Sequence, residues 1–258
     1  MLVVCCGMLR SGSTLQYHLA TSLVEASGVG EGIGWVEHGD CRELDQPGRF
    51  RVVKVHNAEQ LDGIEEALRE GRALYIYSYR DIRDVIVSIQ HKWKLSFRQV
   101  LQACYIDFIL QSYTNWMALP GGHVAKYEEF VHAPADEALA IAGHLGISLP
   151  ADKIVAIAAQ HTLDATKSRI SSLRVAGQDT TEDGILHSNH VFSGASGQWR
   201  GALKPYQIGL LEQKARHWLA QHGYEPSQSC FWRYVGLVYF WCCLKVLKGR
   251  NDAPPKLF

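Results

Sequence analysis

The chain lacks an excess of charge of either sign: 26 Lys and Arg stand against 26 Asp and Glu, for a formal net charge of +0 with histidine neutral. Without an overall field it does not gather nucleic acid, although a local basic pocket can still hold an anion. It also lacks the spacing of a metal site. The seven cysteines include the neighbours Cys5-Cys6 and Cys242-Cys243, but no C-x-x-C pair or His/Cys cluster. That pattern and the odd count point to a reducing compartment with no structural metal, not to a disulfide framework. The opening Met1-Leu-Val-Val-Cys-Cys6 has neither a basic leader nor an apolar region long enough for a signal peptide. The expectation is a cytoplasmic protein with a small-molecule partner and no nucleic acid.

What is present is an alternation of two periods. Apolar, β-branched and aromatic runs at residues 1–6, 51–56, 73–79 and 123–127 read as strands. Helical spacing follows at Thr14–Val24, at Asp62 with Glu65 three residues on as an Asp variant of the capping box, and at Ile82, Val85, Ile86 and Ile89. Further helices are expected over Phe97–Leu119, beyond Pro134, and from Pro205 to His222, with a polar loop or lid over Thr162–Gly197 and a tail from Lys248. The fold class is therefore α/β, a central parallel β-sheet flanked by helices. With 258 residues and no internal repeat, a single domain is expected over residues 1–225, with a C-terminal aromatic helix and tail at 226–258 packed on it.

Gly7-Met-Leu-Arg-Ser-Gly12-Ser13-Thr14 keeps the G-x-x-x-x-G frame of a P-loop between a strand and a helix, but serine stands where a nucleoside triphosphatase needs lysine. A glycine-rich turn still lets backbone N–H groups meet an anion at the positive end of a helix. The usual cation for β- and γ-phosphates is missing, while Arg10 offers a charge inside the loop, so the loop suits a shorter anhydride than ATP. Arg10-Ser11-Gly12-Ser13-Thr14 resembles the 5′-phosphosulfate loop of sulfotransferases that use 3′-phosphoadenosine 5′-phosphosulfate (PAPS). Its arginine is closer to the carbohydrate branch than to the cytosolic one.

In Tyr79-Arg80-Asp81-Ile82-Arg83-Asp84-Val-Ile-Val-Ser88, a serine lies eight residues, about two helical turns, after a strand-end arginine. A guanidinium fork and a hydroxyl suit a phosphomonoester. The stretch is similar to the family's 3′-phosphate motif, with Ile82 in place of its proline. Val53-Lys54-Val55-His56 resembles the family's Lys-Thr-His segment, which implies His56 as general base and Lys54 as a helper at the reacting centre. Imidazole titrates near neutrality, and the end of a parallel strand opens on the ligand crevice. Carbohydrate branches often use Glu instead, so Glu37, His38, His187 and His190 stay open, with His38 and His190 in reserve.

The resemblance extends to Tyr127-Glu128-Glu129, similar to the family's Tyr-Glu-Asp with its tyrosine beside adenine, and to Gly194-Ala-Ser-Gly197-Gln-Trp199-Arg200, similar to the segment that closes over the cofactor. The expected cofactor site is then Arg10, Ser11, Gly12, Ser13, Thr14, Arg80, Ser88, Tyr127, Ser193 and Gly194, and the expected catalytic set is His56, Arg10 and Lys54. Two departures stand out. Phe192-Ser193 replaces the Arg-Lys pair of the cytosolic branch, with Lys167, Arg169 or Arg174 as substitutes, and Leu15 replaces its adenine-stacking tryptophan. The resemblance implies a P-loop-like sulfotransferase fold, PAPS as sulfuryl donor, PAP as product, no required metal, and a small-molecule or carbohydrate acceptor carrying a hydroxyl or amine. A P-loop kinase, or a catalytically inactive nucleotide-binding protein, is the competing reading.

The aromatic segment Phe231–Leu247 is short for a bilayer span and is interrupted by Arg233 and Lys245. It reads as a helix packed on the domain or an acceptor lid, or else as an interfacial membrane anchor or oligomer surface.

Overall fold

The structure, a computed structural model, describes residues 1–181, 184–187 and 193–247. In chain order the elements are β1 (Leu2–Gly7), α1 (Ser13–Ala26), β2 (Gly30–Trp35), β3 (Gly39–Asp40), α2 (Cys41–Leu44), β4 (Phe50–Lys54), β5 (Leu61–Asp62), α3 (Ile64–Arg69), β6 (Ala73–Tyr79), α4 (Ile82–Trp93) and α5 (Phe97–Gln102). They continue with α6 (Tyr105–Met117), β7 (Gly122–Lys126), α7 (Tyr127–Phe130), α8 (Pro134–Leu145), α9 (Ala151–Ala159), α10 (Leu163–Val175), α11 (Trp199–Ala202), α12 (Pro205–Lys214), α13 (Arg216–Gln221) and α14 (Cys230–Leu247). The chain divides into two compact units, residues 1–80 with 112–194, and residues 81–111 with 195–258.

The first unit is built on a five-stranded sheet in the order β2-β4-β1-β6-β7, every pairing parallel. β1 is buried along its whole length because apolar side chains leave both faces, as a parallel sheet covered on both sides requires. On one face Val3, Cys5, Val52 and Ile76 pack against Leu19, Ala20 and Leu23 of α1, Ile141 of α8 and Ile154 of α9. On the other, the Tyr75 ring packs tilted against Trp116 at 5.2 Å and the Tyr77 ring edge-on against Tyr113 at 5.7 Å, so the end of α6 is the cover there. The strand candidates at 1–6, 51–56, 73–79 and 123–127 are thus β1, β4, β6 and β7. Four boundaries differ. The helix after β5 starts behind Gly63 in the left-handed region, so Asp62 ends β5 and caps nothing. Phe97–Leu119 is two helices broken at Cys104, whose φ is 54°. The polar stretch from Thr162 opens as α10, capped where the Thr162 side chain accepts from the Ala165 N–H. The segment 205–222 breaks at Ala215 into α12 and α13.

The second unit is helical around a buried charge network. Arg83 on α4 is paired with Asp81 at 2.8 Å and with Glu212 of α12 at 2.9 Å, and its guanidinium lies 3.9 Å from the centre of the Trp199 ring. Glu212 also accepts from the backbone N–H of Ser227 at 2.7 Å and of Gln228 at 3.0 Å. Asp84 accepts from the N–H of Gly197 at 2.6 Å and of Trp199 at 3.0 Å. Every carboxylate of this network is matched by donors, the condition under which buried charge is tolerated. α14 lies against α12 where Gly209 faces the Trp232 carbonyl and Gly236 faces the Tyr206 carbonyl. A Cβ on either glycine would come within 2.5 Å of backbone oxygen.

Candidate active site

The carboxyl ends of β4, β1, β6 and β7 lie side by side, since Cys5 pairs with Lys54, Gly7 with Ser78, and Tyr79 with Lys126. His56, Arg10, Arg80 and Tyr127 follow those four ends within a few residues. Four motifs far apart in sequence therefore converge on one edge of the sheet, where the chain leaves β1 for one side and later returns to the other. Such an edge is where open parallel sheets bind ligands.

The loop after β1 is held by short contacts. The Met8 N–H donates to the Ser78 carbonyl at 2.9 Å, and the Ser11 hydroxyl lies 2.6 Å from the Met8 carbonyl, 2.9 Å from the Ser78 carbonyl and 2.8 Å from the Ser78 hydroxyl. Ser11, fully buried, is thus a strut that ties the loop to β6. Arg10 and Gly12 both sit in the left-handed region, at φ 64° and 89°. Gly12 must lack a side chain: a Cβ there would meet Tyr127 Cδ2 at 2.8 Å and Phe130 Cζ at 2.9 Å. It also leaves α1 without a side-chain cap. The first-turn N–H groups at Ser13 and Thr14 belong to the set that a helix cannot satisfy internally and that attracts anions.

Two guanidinium groups share this corner. Arg80, almost wholly buried, donates from Nη1 to the Arg10 carbonyl at 3.4 Å and lies over the Tyr127 ring at 4.2 Å. Burial first, and the Arg80 charge second, pull the Arg10 pKa down to about 10, against the opposing pull of Tyr127. The Tyr127 hydroxyl in turn donates to the Gly194 carbonyl at 2.8 Å, which brings the loop residues Ser193 and Gly194 to the Arg80-Tyr127 stack. Gly194, at φ 71°, leaves no room for a Cβ against Leu163.

On the β4 side, Gln60 sets the turn. Its Oε1 accepts from the N–H of His56 and of Asn57, both at 2.8 Å, and its Nε2 donates to the Val36 carbonyl at 3.0 Å. The His56 carbonyl accepts from the Trp116 indole at 3.1 Å, and the His56 ring meets the Trp35 ring edge-on at 5.0 Å. Burial, then Lys54 and Arg10, holds the His56 imidazole well below its ordinary value of 6.5, so it is neutral at physiological pH. Lys54, 2% exposed, donates to the Val55 carbonyl at 3.2 Å, and burial lowers its pKa to about 8.

Arg10, Lys54, His56, Arg80, Tyr127, Ser193 and Gly194 therefore belong to one unit and one sheet edge, with the Ser11–Thr14 loop. Ser88 is buried on α4 of the other unit. Of the reserves, His38 is exposed, His187 is exposed in a bridge to Thr180, and His190 lies outside the described residues, as do Phe192 and the tail 248–258. Arg169 donates to the Gln160 carbonyl and lies 3.2 Å from His161 Nδ1. Arg174 and Lys167 stand on α10. Sequence reasoning missed Trp35 and Gln60. Trp35, 42% exposed at the end of β2, is beside the candidate base, and only recognition of β2 would have pointed to it.

The family described as Sulfotransferase domain matches residues 3–223. The chain belongs to the sulfotransferase family. It is an enzyme of sulfuryl transfer. The fold agrees. A retinol dehydratase in complex with androsterone and the inactive cofactor PAP superposes with a TM-score of 0.59 at 16% identity, over 84% of this chain and 80% of that one. The same protein with retinol and PAP gives 0.59 and 16% over 84% and 81%. A mouse sulfotransferase complexed with PAP gives 0.59 and 16% over 97% and 88%. No curated protein matches the chain in sequence. Among the described residues no cluster of metal-ligating side chains occurs, and no helix is long and apolar enough to cross a membrane.

Proposed function

We propose that the loop Arg10–Thr14 holds the 5′-phosphosulfate of PAPS, that Arg80 and Tyr127 hold its 3′-phosphate and adenine end, and that His56 is the base for the acceptor. The observation that carries this reading is the pair Arg10 and Arg80, two cations drawn together at the mouth of a glycine-rich strand-to-helix turn. Like charges in a buried corner raise the free energy of the empty site, and a ligand with two separate anionic groups relieves it. Ser88 is assigned to the 3′-phosphate on the motif alone, and Ser193 and Gly194 to the flap beside Tyr127.

In the transfer, the acceptor oxygen or nitrogen forms a bond to sulfur as the bond from sulfur to the 5′-phosphate oxygen breaks. The acceptor proton passes to neutral His56, and the charge left on the phosphate is met by Arg10 and Lys54. Lys54, with a pKa near that of a proton donor at working pH, is suited to follow charge as it develops. Ser13 in the position of the P-loop lysine supports a donor shorter than ATP.

The acceptor presents a hydroxyl or amine beside His56 and lays a ring or apolar face on Trp35. A small apolar molecule and a sugar both satisfy an exposed indole. A reducing, cytoplasmic setting is supported by seven free thiols, of which Cys5, Cys6 and Cys41 are buried with pKa values pushed up by burial.

Calorimetric titration with PAP, AMP and ATP tests the site: PAP binds far more tightly than AMP, and Arg80→Ala removes that preference. His56→Ala retains PAP affinity and loses turnover. Equal affinity for PAP and AMP would overturn the cofactor assignment, and full turnover in His56→Ala would overturn the base.

A further inference from the structure

We propose that α14 and the chain that follows it dock the enzyme on the surface of an anionic lipid bilayer. On α14, Phe231, Tyr234, Leu237, Val238 and Trp241 are exposed at 61%, 67%, 40%, 46% and 63%. At 100° per residue these positions fall within an arc of about 120° on one face of the helix. The opposite face is occupied. Gly236 meets α12 at backbone distance, Tyr239 packs on Tyr206 at 4.9 Å and on Phe97 at 6.4 Å, Phe240 takes the Lys214 ammonium at 4.5 Å, and Arg233 faces Glu212 at 3.7 Å. The exposed row is therefore the face that α14 turns away from α12 and α5. Leu237, Val238, Trp241 and Cys242 line a shallow apolar groove of about 260 Å³ in that row.

Charge decides what covers it. The sequence from residue 245 onward carries Lys245, Lys248, Arg250 and Lys256 against one acid, Asp252, in a chain whose charges balance only as a whole. An apolar row rich in Trp, Tyr and Phe, continued directly by basic residues, fits the headgroup level of a membrane with anionic lipid, where amphipathic rings face both media and cations pair with phosphate. No described helix is long and apolar enough to span a bilayer, so the helix lies on the surface. A second copy of this chain would bring the same basic residues into mutual repulsion, which disfavours it as the occupant.

Vesicle flotation of the full chain tests this. Vesicles of phosphatidylcholine mixed with phosphatidylglycerol carry the protein at low salt and release it at high salt, whereas phosphatidylcholine alone binds it about tenfold less. The exposed pair Tyr234→Ser and Trp241→Ser reduces flotation about tenfold without changing the thermal midpoint or turnover. Lys248→Gln, Arg250→Gln and Lys256→Gln together remove the preference for anionic lipid. Absence from floated anionic vesicles overturns the proposal. So does a concentration-dependent dimer in light scattering that the Tyr234 and Trp241 substitutions dissolve while vesicles bind nothing, since the row would then be a surface for a second copy.

Discussion

Lys54 provides the sharpest test of how the site meets its donor. Its ordinary pKa of 10.5 is lowered to about 8 by burial, a difference worth about 3 kcal/mol against the charged form. The sign follows from linkage: below about pH 8 the folded protein carries the full penalty, and between about 8 and 10.5 the unfolded chain binds more protons, so the empty enzyme gains stability as pH rises. An anion seated beside Lys54 reverses this by restoring the ammonium. PAP binding should then take up about half a proton at pH 8 and about nine tenths at pH 9, and its affinity should fall about tenfold between pH 7 and pH 9. Calorimetry in two buffers of different ionisation enthalpy counts the protons directly. Lys54→Met, close in length and uncharged, should abolish the uptake and flatten the pH dependence. No uptake in the wild type at pH 8, or the same uptake in Lys54→Met, would place the donor's charge away from Lys54 and refute the reasoning.

Other perturbations follow from the same geometry. Because His56 is held well below 6.5, the acid limb of the kcat/KM profile should lie below that value, and its loss in His56→Ala identifies the group. Gly12→Ala forces a Cβ to within 2.8 Å of Tyr127 at φ 89°. Strain of about 1–3 kcal/mol should lower the thermal midpoint and weaken PAP binding together. Glu212→Ala removes a partner of buried Arg83 and the acceptor for two backbone N–H groups, so denaturant unfolding should show a loss of about 3–5 kcal/mol. Trp35→Ala should raise the acceptor KM several-fold with the PAP dissociation constant unchanged, and an altered PAP affinity would show that the indole serves the donor side instead.

What the sequence made legible depended on how each residue does its work. β1, β4, β6 and β7 are apolar runs, so burial on both faces is written in their composition. β2 is Gly-Glu-Gly-Ile-Gly-Trp, poor in β-forming residues, and it is a strand because of what surrounds it: a Cβ on Gly30 would fall 2.0 Å from the Phe50 carbonyl, and one on Gly32 2.5 Å from Thr21 of α1. Close approach of α1 and β4 demands glycine there, and local propensity counts the same glycines against a strand. Trp35 was lost with that strand. α10 was hidden for a related reason: Ser, Thr, Lys and Arg dominate it, and only Ile170 and Leu173 are buried.

The motif after β6 shows the limit from the other side. Sequence resemblance assigns that stretch to a phosphate, yet of its charged residues Arg80 alone reaches the corner with Arg10. Asp81 caps α4 by accepting from the Arg83 N–H at 2.9 Å and pairs with the Arg83 side chain. Asp84 fixes Gly197 and Trp199 through their N–H groups, and Trp199 covers the Arg83 guanidinium. A recurring run of charges can therefore persist for the scaffold as much as for the ligand, and spacing cannot separate the two uses. A substitution can. Asp84→Ala leaves the buried Trp199 N–H and the part-buried Gly197 N–H without their acceptor, at a cost of about 1–3 kcal/mol for the buried one, so it should destabilise the second unit at every PAP concentration. Arg80→Ala should leave the unliganded midpoint near its original value and remove only the increment that PAP adds. The opposite pattern, a ligand-dependent loss for Asp84→Ala and a ligand-independent one for Arg80→Ala, would exchange the two roles.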